Sequence, residues 1–257
     1  MVWRQPRIYL GKFAGAAVGV MFALFVLSAS GSQLRAQAGA QPGEAAILSL
    51  GGRLYDNHWA MLSRQPPPGR HPLFPKQMKI TPAATWRCVS CHGWDYRGTD
   101  GHLGEVSKDP VLKNLAGVTG QDPQSIITRL VSQTHRPITA PMSPEQLLAL
   151  AKFLSFGQHD MADLVGAEGK AVGDPLRGKD IFDGTCQRCH GADGKAPIYG
   201  EEGDRASLVW LARNRSEQAV HKIRNGVPLA DMLSLRFLDM VSLSGLIAYL
   251  QRMDAAQ

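Results

Sequence analysis

Two five-residue strings, Cys88-Val89-Ser90-Cys91-His92 and Cys186-Gln187-Arg188-Cys189-His190, hold all four cysteines of the chain and constrain its fold more than any other feature. In each, two thiols three positions apart lie on one helical turn, where they can add across the two vinyl groups of a haem. The adjacent histidine is then carried beneath the ring to ligate iron. A single such string could equally be a redox Cys-x-x-Cys or half a zinc site. A zinc site would use the four thiolates together, or mix in histidines, and would not require His at the same offset twice. The spacing therefore predicts two covalently attached c-type haems, with Cys88, Cys91, Cys186 and Cys189 as thioether positions and His92 and His190 as proximal iron ligands. With every cysteine consumed, no thiol remains for a disulfide, an iron–sulfur cluster or a thiolate axial ligand.

The first 36 residues are set apart by their pattern. Arg4, Arg7 and Lys12 precede an apolar run from Phe13 to Leu27, the order of an export signal, and the run is short for a membrane span. Ser28-Ala29-Ser30 and Ala36-Gln37-Ala38 both offer small-x-small cleavage sites. A signal peptide or an N-terminal membrane anchor at 1–36 is expected, and with it a periplasmic location. This leader also changes the meaning of the pI of 9.3. It contains four of the cations and no acid, leaving 24 Lys and Arg against 22 Asp and Glu. Without a concentrated basic stripe, nucleic acid is excluded as a partner class. The exception is local: Arg53, Arg64, Arg70, Lys76, Lys79 and Arg87 face the single acid Asp56. That cluster reads either as a solvated surface or as a docking patch for an acidic redox partner.

The second half resembles a class I cytochrome c domain. Gly178-Lys179-Asp180-Ile181-Phe182 precedes Cys186 at the spacing of that family's opening helix, and Leu246-Ile247-Ala248-Tyr249-Leu250 matches the closing helix that crosses it. Periodicity independently gives an amphipathic helix with Leu243, Leu246, Ile247 and Leu250 on one face. The first half repeats the pattern, with Gly52-Arg53-Leu54-Tyr55 as the opening and Leu147 to Leu154 as the closing helix, capped by Ser143 with Pro144 and Glu145 in its first turn. It departs from it by an insertion at 56–87, basic and broken by Gln65-Pro66-Pro67-Pro68-Gly69, which reads as loop. The resemblance implies an all-α fold of two tandem cytochrome c-like helical domains, at 45–157 and 175–257, joined by a linker at 158–174.

The resemblance also implies a sixth ligand to each iron. Met232, 42 residues after His190 and 17 before Tyr249, holds the position of the family's ligand methionine; Met240 reads as core. In the first half, His135 lies 43 residues after His92 and 18 before Phe153, nearly the same offsets. Met142, the alternative, lies 50 after and 11 before, directly ahead of the Ser143 cap where an apolar residue serves as a staple. His135 is expected to be the ligand, with Met142 next and His71 or His102 behind it. Trp86, Trp94, Asp95 and Tyr96 flank the first motif and read as haem-edge or packing residues. His58, His159 and His221 read as exposed.

The function these residues imply is electron transfer between redox protein partners, an acidic donor or a membrane respiratory complex, through two haems and without a catalytic constellation. The alternatives are a cytochrome subunit of a larger dehydrogenase, and a di-haem oxidoreductase or peroxidase, which needs one open or unusually ligated iron.

Overall fold

The computed structural model describes residues 43–166, 168–197 and 206–253; the 1–36 leader lies outside them. Among the described residues there is no strand; an isolated bridge joins Val165 and Ala171. The fold is all-α. The residues from 44 on form one compact unit.

The first half opens with α1 (Glu44–Met61), kinked at Asn57, and the first motif forms the short helix α2 (Cys88–His92). After α3 (Pro123–Leu130) and α4 (Arg136–Thr139), the half closes with α5 (Pro144–Lys152). Helix α5 begins with the expected Ser143 cap, completed by Gln146 as a capping box, which satisfies two of the helix's unpaired donors. Met142 and Leu147, the staple pair of that cap, line one cavity of about 340 Å³. The second half repeats the order. Helix α6 (Pro175–Ile181) leads through a π-helical turn to α7 (Gln187–His190), followed by α8 (Leu208–Asn214), α9 (Ser216–Asn225) and the closing α10 (Met240–Arg252).

In each half the opening helix crosses the closing one through the same set of residues. A Cβ on Gly51 would lie 2.2 Å from the Ala149 carbonyl oxygen, and one on Gly178 2.0 Å from that of Gly245. Four residues on from each of these positions an aromatic pair meets, Tyr55 with Phe153 and Phe182 with Tyr249, both at 5.6 Å between ring centroids. Only glycine lets the backbones approach this closely, and the aromatic pair then fills the widening space beside the crossing. The expected apolar face of α10 is fully buried: Leu243, Leu246, Ile247 and Leu250 are all in the second core, which also holds Phe182, Val209 and Ile223.

Two expectations about the chain's organisation change. The insertion at 56–87 is not loop throughout, because α1 continues to Met61. The segment from Leu62 to Arg87 is held down on the first half by its own contacts. Arg70 donates to the carbonyls of Pro75, Met78 and Ile80, and Trp86 donates to Gly69 O while accepting at its carbonyl from Trp59. Trp59, Trp86 and Ile138 make a small apolar cluster against Cys88. The segment expected as linker at 158–174 lies along α10, where Ser244 donates to Leu164 O and accepts from Gly173 N, and Gln251 accepts from Ala171 N.

Gly178→Ala should destabilise the protein by about 1–3 kcal/mol through overpacking at the crossing, seen as a lower midpoint in denaturant unfolding. Gly184→Ala, where an added Cβ would meet nothing within 4 Å, should leave the midpoint nearly unchanged; equal losses would remove the crossing as the cause.

Candidate haem-binding sites

The two motif turns have the same local build. Each ends on a glycine with positive φ, Gly93 at 80° and Gly191 at 75°. Two residues later an aspartate closes an Asx turn: Asp95 Oδ1 accepts from Arg97 N and Asp193 Oδ1 from Lys195 N, both at 3.1 Å. Helical hydrogen bonding hands over to a side chain, so the histidine before each glycine is held on a fixed turn. No disulfide joins any of the four cysteines. Burial pushes Cys88 up to about 12, and Cys91 and Cys186 each to about 11. At these three positions burial favours the neutral thiol over the thiolate.

His92 Nδ1 lies 2.8 Å from the Lys113 carbonyl oxygen. A carbonyl only accepts, so Nδ1 carries the proton and Nε2 presents its lone pair, the tautomer an iron ligand needs. The ring of His135 lies 6.3 Å from that of His92, centroid to centroid, with 26° between the planes. Two imidazoles sharing one metal at ~2 Å from each nitrogen have ring centres roughly 6 Å apart. The donor set and this spacing fit a covalently held, doubly ligated haem. Met142 is buried in the first core, beside its staple partner. His71 is buried against Trp86, with its Nδ1 accepting from Leu73 N, and His102 is a surface residue 3.7 Å from Glu105. In the second half, His190 is buried and hydrogen-bonded to the backbone of Ala196, while Cys186 and Met232 pack against the same core. Met240 accepts a contact from Arg224 at 3.3 Å.

His58, His159 and His221 are buried, contrary to expectation. Both ring nitrogens of His58 are enclosed without a hydrogen-bond partner, and burial lowers it to about 3. His221 joins the halves. Its Nε2 lies 3.0 Å from Gly52 O and its Nδ1 2.9 Å from the Tyr96 hydroxyl, which is also 3.3 Å from His159 Nδ1. The carbonyl again fixes the proton order: Nε2–H donates to Gly52, so the Tyr96 hydroxyl donates to His221 Nδ1 and accepts from His159. Trp94, Tyr55 and Phe153 complete the surroundings of the His221 ring. Beside them Asp56, 1% exposed, pairs with Arg87 and with Lys222 Nζ at 2.8 Å. Ser49 donates to Asn225 O, and Arg236 donates to Asn225 Oδ1 and Gly157 O. Asp95 and Tyr96, expected at a haem edge or in packing, serve a turn and this seam. Sequence reasoning missed the seam. Its one available signal was Asp56 itself, the lone acid of a basic stretch.

A family model described as cytochrome c oxidase, cbb3-type, subunit III matches residues 173–250. The match supports a c-type cytochrome domain over these residues. A domain of this type carries electrons on a haem, on the periplasmic or extracellular side. No curated protein and no solved structure matches the chain. No helix of the described residues is long and apolar enough to cross a membrane.

Burial holds His221 down to about 3. Between that value and the unfolded value near 6.5, the unfolded chain binds more protons, so this residue's contribution to stability is complete above pH ~6.5 and is lost as pH falls toward 3. Asp56, lowered to about 2 by Lys222 and Arg87 against its burial, adds a further loss below pH ~4. His221→Gln, which keeps an amide in the seam, should flatten the stability profile between pH 6.5 and 4 by up to one proton, measured by denaturant unfolding at each pH. An unchanged slope would place the acid sensitivity elsewhere.

Proposed function

We propose that the protein is a periplasmic di-haem electron carrier, with one haem in each half. The observation that carries this reading is the repetition in space: the same glycine crossing, aromatic pair, motif turn and Asx turn enclose both Cys-x-x-Cys-His strings. In the first half, Cys88 and Cys91 hold the haem and His92 and His135 are its ligands. In the second, Cys186 and Cys189 hold it and His190 and Met232 are its ligands. Each iron takes up and releases one electron, and the chain sets its ligands, burial and access. Thioether ligation favours reduced iron more than a second imidazole does, so electrons pass from the first half to the second.

The match to an oxidase subunit model supports one refinement: the second half delivers electrons to a membrane respiratory complex as a subunit or docking partner. The basic cluster is a weaker guide to the donor than its sequence suggested. Arg70 and Arg87 are spent on internal carbonyls and Asp56, leaving Arg64, Lys76 and Lys79 as its exposed cations.

The purified protein should contain two haems per chain that resist acid-acetone extraction, and Cys186→Ala with Cys189→Ala should leave one. Met232→Ala should abolish the methionine-to-iron band of the oxidised protein, while His135→Ala should leave that band and alter the lower-potential haem. One haem per chain in the unaltered protein would sink the di-haem reading. A band lost on Met142→Ala instead would reassign the first ligand.

A further inference from the structure

The first motif is held at both ends by one helix of the second half. Arg87 stands immediately before Cys88, and Trp94 two residues after His92. Arg87 donates through Nε to Asp56 O at 2.6 Å and pairs with the Asp56 carboxylate, whose other oxygen accepts from Lys222 Nζ at 2.8 Å. The same Lys222 ammonium lies 5.1 Å from the centre of the Trp94 ring, with the Arg87 guanidinium 5.9 Å away. The His221 ring meets the Trp94 ring at 5.1 Å, with 63° between the planes. Two adjacent residues of α9 thus press on the end of the motif turn, and one of them reaches its start through Asp56. Tyr55, 5.7 Å from the His221 ring, adds a tie to the turn itself by donating its hydroxyl to Gly93 O at 2.6 Å.

The Asp56 side chain is 2% exposed and that of Lys222 18%, so this pair escapes most of the screening that weakens surface ion pairs. Lys222 shares its ammonium between a carboxylate and an indole face, the aromatic surface that attracts a cation most strongly. The second motif has no counterpart. Thr185 precedes Cys186 and Ala192 stands two residues after His190, so those places offer neither a cation nor an aromatic ring. Its turn is entered directly from α6 through the π-helical turn. At the motif flanks the clamp therefore runs one way, from the second half onto the first.

We propose that Lys222 and His221, both on a helix of the second half, are positioning residues for the first haem-attachment site. They fix the turn that presents His92, and the Lys222 charge raises the reduction potential of the haem held there. A nearby cation favours the reduced iron, which carries one positive charge less. The effect on potential rests on the two-haem reading; the effect on the turn does not. Lys222 acts on the haem of the other half and leaves that of its own half alone, the reverse of what loosening of its own helix would do.

The test uses the full-length haem-loaded protein and its Lys222→Met, Lys222→Arg and His221→Gln variants, with circular dichroism as a check on folding. A redox titration reports on each haem, and hydrogen–deuterium exchange read by mass spectrometry reports on each motif turn. Lys222→Met should lower the potential of the first haem, the one altered by His135→Ala, so that its oxidised-to-reduced ratio at a fixed potential rises by up to about tenfold. The methionine-ligated haem should stay in place. Exchange in a peptide spanning 88–96, which includes the Gly93 amide bonded to Val89 O, should quicken roughly several-fold, while that in 186–194 is unchanged. Lys222→Arg, which keeps the charge, should recover the potential and most of the protection. Changes that fall on the second motif and its haem, or equally on both, overturn the proposal. In a folded Lys222→Met, an unmoved first potential rejects the charge effect and unmoved exchange at 88–96 rejects the clamp. If Lys222→Met does not fold, His221→Gln, which keeps a donor for Gly52 O and removes the ring from Trp94, decides the clamp by the same exchange pattern. A single haem per chain would reject the di-haem reading, and exchange would still judge the clamp: quickening confined to 88–96 supports it and any other pattern overturns it.

Discussion

Everything near the motif turns depends on how closely two helix backbones can approach. Gly51 against Ala149 and Gly178 against Gly245 bring an opening and a closing helix within a distance that no side chain permits. The aromatic pairs one turn away fix the crossing once it is made. The opening helix sets the entry of the chain into the Cys-x-x-Cys-His turn, in the second half through an unbroken helical path. In the first half, α1 is separated from its motif by the insertion. There Arg87, the residue before Cys88, is tied back to the carbonyl and carboxylate of Asp56, so a charge pair does what helix continuity does in the second half.

Asp56 thus has two duties, and they explain its burial. Its carboxylate holds Arg87 beside the first motif and Lys222 from the second half. A buried carboxylate with two cations and good hydrogen-bond geometry is tolerable where an isolated one is not. The neighbouring His221 stays neutral because each ring nitrogen has a partner suited to that form. The halves meet through polar groups in a defined pattern, which gives the interface direction as well as attraction. The remaining cations of the seam have no such pairing.

Much of the site was legible because its chemistry is local. Thioether attachment needs two thiols and a histidine within one helical turn, so the five-residue strings name six of the eight expected haem contacts outright. The capping box at Ser143 and the apolar face of α10 were legible for the same reason: both are short-range patterns set by helical geometry. His135 was singled out only by using the second half as a ruler, and its ring lies 6.3 Å from that of His92. His221 was not legible. It sits in a polar helix, SEQAVHKIRN, whose composition describes an exposed surface, and nothing within that helix says that the other half of the chain covers it.

The sequence by itself determined the helical class and the repeated spacing of the Cys-x-x-Cys-His strings, since each follows from patterns of a few residues. The tertiary structure alone decided which cations are free, which histidines are neutral and buried, and how one half contacts the other. Those properties depend on desolvation and on partners more than a hundred positions away, such as Asp56 with Lys222 and Tyr96 with His221. A charge or a titratable ring has no fixed meaning until its surroundings are assembled, because water and a buried counter-ion stabilise it to very different degrees.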